Sequence, residues 1–160
     1  MNSGKILAAE YNHVPVLKLE GDIRVLMSST IDNYFAKIYS RTILDGMVVD
    51  LTETKGIDST ALGLLAKMAI QLRNRFNVIP SIFSTNPDIT KILKGMSFDI
   101  IFDIVEEPLS AGEDFKQLNQ VIDSEGVVKQ KVIIAHHTLM ALSHDNKLKF
   151  QDLVSALKNN

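Results

Sequence analysis

No cysteine occurs in the 160 residues, so neither a disulfide framework nor a thiolate metal site can be built. The eight glycines stand apart from one another, and no phosphate-cradling loop or dinucleotide fingerprint can be written from them. A G-x-S-x-G nucleophile elbow is also missing. Charge of neither sign dominates: 17 Lys and Arg face 19 Asp and Glu, a net charge of −2 with an isoelectric point of about 6.1. Without a basic surplus to neutralise phosphates, the composition argues against a nucleic-acid binder. The longest nearly uncharged apolar stretch, residues 132–142, is interrupted by His136 and His137 and is too short and too polar to cross a bilayer. Met1-Asn2-Ser3-Gly4-Lys5 carries no apolar signal segment. The expectation is a cytoplasmic protein with no membrane partner.

What is present suits one compact domain with a short appendage. Hydrophobic residues make up 46% of the chain and the mean hydropathy is +0.09. Residues 6–9 and 14–19 read as two strands of a hairpin around Asn12 and His13. Ser28 and Ser29 offer N-cap oxygens ahead of Ile31, Tyr34, Phe35 and Ile38, an amphipathic helix stripe. Residues 47–51 form a continuous apolar run of strand length, suited to a central strand. A second helix follows Asp58, with Leu62, Leu65, Ala69, Leu72 and Phe76 on one face and Asn77 at its end. Residues 78–83 read as a strand, Asn86-Pro87 opens a third helix, and residues 99–105 read as a last strand. This alternation predicts an α/β fold with a mixed, mostly parallel sheet covered by helices. Beyond Pro108, three helices are expected: one carrying Phe115, Leu118 and Ile122 after Gly112, broken at Gly126, and two more striped by Val132, Ala135, Leu139 and Leu142 and by Phe150, Leu153, Val154 and Leu157. Residues 143–146 are a turn or a polar step within one long helix. The terminal stripes either fold back on the domain or pair with another chain, leaving monomer and homodimer both open.

Chemistry-bearing clusters are sparse. His137 and His144 lie seven apart, one face of an unbroken helix, but no third ligand stands at metal spacing, so ordinary helix histidines are the default. Asp22, Asp50 and Asp58 could converge for acid–base work, although carboxylates at strand ends and helix starts are usually caps. No metal or other cofactor is implied.

The informative segment is Val48-Val49-Asp50-Leu51 followed by Gly56-Ile57-Asp58-Ser59-Thr60-Ala61-Leu62-Gly63-Leu64-Leu65, a strand leading through a polar loop into a helix. Asp58, Ser59 and Thr60 are all N-cap residue types, and capping alone would account for the triplet. The segment also resembles the STAS domain of bacterial anti-sigma factor antagonists, in which a V-V-D-L strand leads to D-S-S/T-G-L-G-x-L. Leu19-Glu20-Gly21-Asp22-Ile23 is similar to the same family's L-x-G-E/D-L/I strand end. Ala61 departs from the pattern, where Gly is commoner. The resemblance spans residues 1–107 and leaves 108–160 as a C-terminal helical extension of the kind found in longer regulators.

What the resemblance implies is a non-enzymatic, partner-switching regulator. Ser59 is then the phosphoacceptor, with Thr60 second, modified by a serine kinase that is often the anti-sigma factor itself and restored by a serine phosphatase. The unmodified form binds the anti-sigma factor or another output protein. Asp58 orients Ser59 or merely caps the helix; Gly56 and Ile57 shape the loop and add an apolar contact; Gly21 and Asp22 lie on the rim of the same surface or form an ordinary turn. Phosphate adds about −1.5 to −2 charges at a helix start, where amides and dipole favour an anion but a partner packed above would meet it unpaired. Two other readings compete: a STAS-like module fixed in a larger complex, such as a lipid-transport assembly, with Ser59 only a cap, and a small enzyme with an Asp-rich cleft.

Overall fold

The computed structural model describes residues 4–109 and 114–159. Strands β1 (Lys5–Tyr11) and β2 (Val14–Ile23) form an antiparallel hairpin. Asn12 and His13 turn the corner at φ 51° and 66°, the left-handed pair that a two-residue hairpin loop requires. Helix α1 (Ser28–Tyr39), strands β3 (Val48–Asp50) and β4 (Thr54–Ile57), and helix α2 (Ser59–Phe76) follow. Next come β5 (Ser81–Phe83), α3 (Pro87–Gly95) and β6 (Asp103–Val105). The described chain closes with β7 (Lys116–Gln117), α4 (Glu125–Leu142) and α5 (His144–Lys158). The sheet runs β6-β5-β3-β2-β1-β7, with β4 beside the far end of β2. Pairings among β2, β3, β4, β5 and β6 are parallel, whereas β1 is antiparallel to both its neighbours. The mixed, mostly parallel sheet with helical cover is the architecture the alternation of elements predicts.

Several local expectations are corrected. The segment expected as a polar loop after Leu51 contains β4: Thr54 is buried and donates its hydroxyl to Leu19 O at 2.6 Å, and Ile57 enters the core. A short polar-looking stretch can hold a strand because cross-strand bonds, not its own pattern, stabilise it. Only residues 81–83 of the expected 78–83 strand pair with neighbours, and the 99–105 strand is a 3₁₀ turn at Phe98–Ile100 followed by β6. Ser28 and Ser29 do not cap α1. The helix grows out of a 3₁₀ turn at Val25–Met27, and Ser28 instead donates to Val25 O. Around Phe115, Leu118 and Ile122 there is no helix: β7 adds to the edge of β1, Leu118 N donates to Ile6 O at 2.8 Å, and Phe115 meets Tyr11 edge-on. Gly112, expected to open that helix, lies outside the described residues. Gly126 breaks nothing, because Ser124 has already capped α4 through the Val127 amide and Gly126 occupies its first turn.

The C-terminal helices pack back on the domain. Residues 60–66 of α2 are buried without interruption, which a surface helix cannot achieve with cover on one side only. The hydrophobic core lies on one flank and α4 on the other. Contact is close enough that a Cβ on Gly63 would overlap the carbonyl oxygen of Ala135. Asn146, fully buried at the start of α5, donates to Leu139 O at 2.8 Å and Met96 O at 3.0 Å, tying both helices to the end of α3.

A charged tie spans the same seam. Asp32 of α1 accepts from Lys131 of α4 at 2.6 Å and from Lys67 of α2 at 3.3 Å. Burial acts to raise the Asp32 pKa, but the Lys131 hydrogen bond and the two lysine charges outweigh it and hold the carboxyl below its ordinary value. A depressed carboxyl stabilises the fold above its unfolded pKa and loses that effect as pH falls through the folded one. Asp32→Asn is therefore expected to cost about 1 kcal/mol at neutral pH in urea unfolding. The difference from the parent chain should shrink below about pH 4, where the unfolded carboxyl takes up its proton.

Candidate functional site

The residues singled out along the sequence meet where β2 and β4 deliver the chain to α2. Gly21 adopts φ 78°, a left-handed conformation that favours glycine, and the register against β4 shifts between Gly21 and Asp22, leaving Lys55 of β4 as the extra residue. β2 pairs with β3 as far as Lys18 and with β4 from Gly21, which lies opposite Thr54; beyond the shift Asp22 lies opposite Gly56 and Ile23 opposite Ile57. Gly56 packs against the Asp22 side chain, and a Cβ there would come within 2.5 Å of Asp22 Oδ1 and displace that carboxylate. Asp58 N then donates to Ile23 O at 3.0 Å, which anchors the start of α2 to the end of β2.

Asp58 is the N-cap. Its backbone is extended and its Oδ1 accepts from the Ala61 amide at 2.9 Å. Ser59 follows as the first helical residue and is half-buried. Thr60 is only 5% exposed, so of the two candidate acceptors Ser59 is nearer the surface. Ile57, 8% exposed, belongs to the core, which restricts any surface role to the loop it holds in place. Gly21, Asp22, Gly56, Asp58 and Ser59 thus form one half-buried rim.

Sequence reasoning missed His136. Attention fell on the pair His137 and His144, but both are exposed, and Ser143 interrupts the helix between them in an extended conformation. His136 is 1% exposed, and its Nε2 lies 2.7 Å from Ser59 Oγ. On the ring's other side Nδ1 lies 2.6 Å from Val132 O. A carbonyl can only accept, so Nδ1 carries the proton, and Nε2 accepts from the serine hydroxyl. Phe150 of α5 meets the ring edge-on, with 5.0 Å between centroids. The signal was available: His136 falls on the Val132–Leu139 stripe, whereas His137 does not.

The Asp residues do not form a catalytic cluster. Asp50 is buried and accepts from Thr52 N and Oγ1, Asp58 caps α2, and Asp22 pairs with exposed Arg24 at 2.8 Å. Glu53 is held below the usual carboxylate range by its hydrogen bond from Lys18, a surface ion pair. Among the described residues, no group of three or more His, Asp or Glu could hold a metal ion, and no helix is long and apolar enough to cross a membrane.

Comparison with known proteins agrees with the fold. A family profile described as the STAS domain matches residues 5–111. The fold is similar to that of an anti-sigma factor antagonist from Mycobacterium paratuberculosis, with a TM-score of 0.57 and 16% identity over 66% of this chain and 87% of that one. It is also similar to the protein TM1081, with a TM-score of 0.55 and 14% identity over 62% of this chain and 78% of that one. Identities so low speak for the fold alone. No sequence relative among curated proteins matches the chain.

The Ser59–His136 bond is open to measurement by itself. Ser59→Ala leaves buried Nε2 without its donor and should lower stability by about 1–2 kcal/mol in urea unfolding. Combined with His136→Ala in a double-mutant cycle, the two changes should couple by about 0.5–3 kcal/mol; strictly additive effects would show that the bond contributes nothing.

Proposed function

The chain belongs to the STAS domain family, and from that premise we propose that it is an anti-sigma factor antagonist acting by partner switching, governed by reversible phosphorylation of Ser59. Residues 1–107 serve as the switch domain and 108–160 as its helical extension. The supporting observation is the place of Ser59: the first residue of α2, directly after the Asp58 cap, on a rim shared with Asp22 and Gly56. That rim offers a partner a shaped surface of backbone and small side chains. The activity is binding, not catalysis, and the setting is the cytoplasm.

A phosphate on Ser59 works against such a partner for electrostatic reasons. Asp58 stands next in the chain, with its carboxylate already committed to the Ala61 amide. A partner seated over the rim would bury about two further negative charges without a counter-ion. Several kcal/mol of lost binding corresponds to a fall of about 10² to 10³ in affinity at about 1.4 kcal/mol per decade. The protein that adds the phosphate is a serine kinase, the anti-sigma factor itself or a separate enzyme, and a serine phosphatase removes it.

One observation favours a second reading, a constitutive STAS-like module within a larger complex such as a lipid-transport assembly. The Ser59 hydroxyl already has a structural use, as the donor to buried His136. Mass analysis with peptide mapping of the chain isolated from its host separates the two. The switch predicts a phosphate on Ser59 that disappears in Ser59→Ala, and co-purification of the output partner with the unmodified form only. A chain unmodified under every growth condition supports the constitutive module.

A further inference from the structure

Ser59 does not simply face outward; its hydroxyl is turned into the seam between α2 and α4. His136 Nε2 takes that hydroxyl at 2.7 Å, and the ring is enclosed by its own helix and by Phe150 of α5. The modification site and the seat of the C-terminal helices are therefore the same place. On the reading that Ser59 is phosphorylated, the phosphate has an effect inside the molecule as well as on a partner.

Phosphorylation replaces the hydroxyl proton with phosphorus and three oxygens. The donor to His136 disappears, and an ester oxygen 2.7 Å from Nε2 leaves no space for the new group between them. Moving α4 away to make room forfeits the close packing one turn along α2, where the Gly63 backbone lies against Ala135 too closely to admit even a Cβ. Rotating the serine so that the phosphate points to solvent leaves Nε2 a buried acceptor with no donor, which is also unfavourable. In both geometries the unmodified hydroxyl fits the docked helices and the phosphoserine does not.

We propose that phosphorylation of Ser59 unseats the α4–α5 pair from α2 while the sheet and α1–α3 stay folded. The C-terminal helices are then a second output of the switch: docked over Ser59 when it is unmodified and released when it carries phosphate. Linkage makes the effect reciprocal, so docking of the helices also disfavours the phosphorylated form of Ser59.

The test uses the full chain with phosphoserine placed at residue 59 during translation, so it needs no kinase and does not depend on which partner binds. Amide hydrogen exchange is compared with the unmodified chain for residues 125–158, with β2 and β3 as internal reference. The expected result is exchange at least about tenfold faster in α4 and α5, equivalent to about 1.4 kcal/mol, with the sheet unchanged. Ser59→Ala, which removes the donor and adds no charge, should give a smaller increase in the same helices. Should it prove hard to produce, His136→Ala removes the same bond from the other side and should loosen the same segment. Helices exchanging at the unmodified rate, or more slowly because the imidazole grips the phosphate, would overturn the proposal. Loss of protection throughout the sheet would overturn it equally. None of these outcomes bears on whether the host phosphorylates Ser59, which the peptide mapping decides separately.

Discussion

Strand β2 has to serve two parallel partners in succession, β3 along its first half and β4 along its end. It leaves β3 after Lys18 and takes up β4 at Gly21, with a register shift directly after. At this transition Gly21 takes a positive φ, and Lys55 is the extra residue of β4 between the pairs Gly21–Thr54 and Asp22–Gly56. Thr54 closes the transition by donating to Leu19 O, and Asp58 N then bonds to Ile23 O. The position of the α2 N-terminus follows from this chain of contacts, and so does the exposure of Ser59. The pairing of β2 with β4 thereby sets the geometry of the site.

The second constraint is the seam between α2 and α4. Small residues at Gly63 and Ala135 bring the helices to near backbone contact, and such contact allows little sliding. Polar anchors stand around it: Asp32 with Lys67 and Lys131 on one side, Asn146 at the far end, and Ser59 with His136 between them. Asn146 uses both hydrogens of its amide on carbonyls but leaves Oδ1 without a partner, and Ser29 Oγ is likewise unpartnered. Dispersion over the apolar stripe and a few specific hydrogen bonds hold the extension in place. Of those bonds, the one at Ser59 is the one that the proposed phosphorylation would remove.

These two constraints together give the site its character. The sheet and the Asp58 cap hold Ser59 in one position, with no strain confined to the serine itself. The helical pair encloses the hydroxyl from one side and leaves the rim of Asp22, Gly56 and Asp58 facing the other. A charge added at this point disturbs both sides at once, through electrostatics toward a partner and through sterics and a lost donor toward α4. On the proposed reading the sheet sustains such a disturbance because the core around Leu17, Leu19, Val49, Leu65 and Ile82 is fully buried.

Much of the molecule was legible from its residues. The alternation of apolar runs and stripes determined the α/β class and the hairpin, because burial on a parallel sheet and on helix faces imposes distinct periods. Asp58-Ser59-Thr60 before an apolar run marked the start of α2, because capping is local chemistry. The uninterrupted apolar run from Ala61 to Ala66 was also a trace of cover on both flanks. Three things depended on tertiary contacts. Strand β4 exists because the end of β2 is free to pair with it, and β7 because β1 leaves an edge open, so neither has a pattern of its own. His136 meets Ser59 across 77 positions of sequence, and nothing near either residue specifies the other. Local sequence encodes which face an element buries; which residue it meets there is decided only when the whole chain closes around the core.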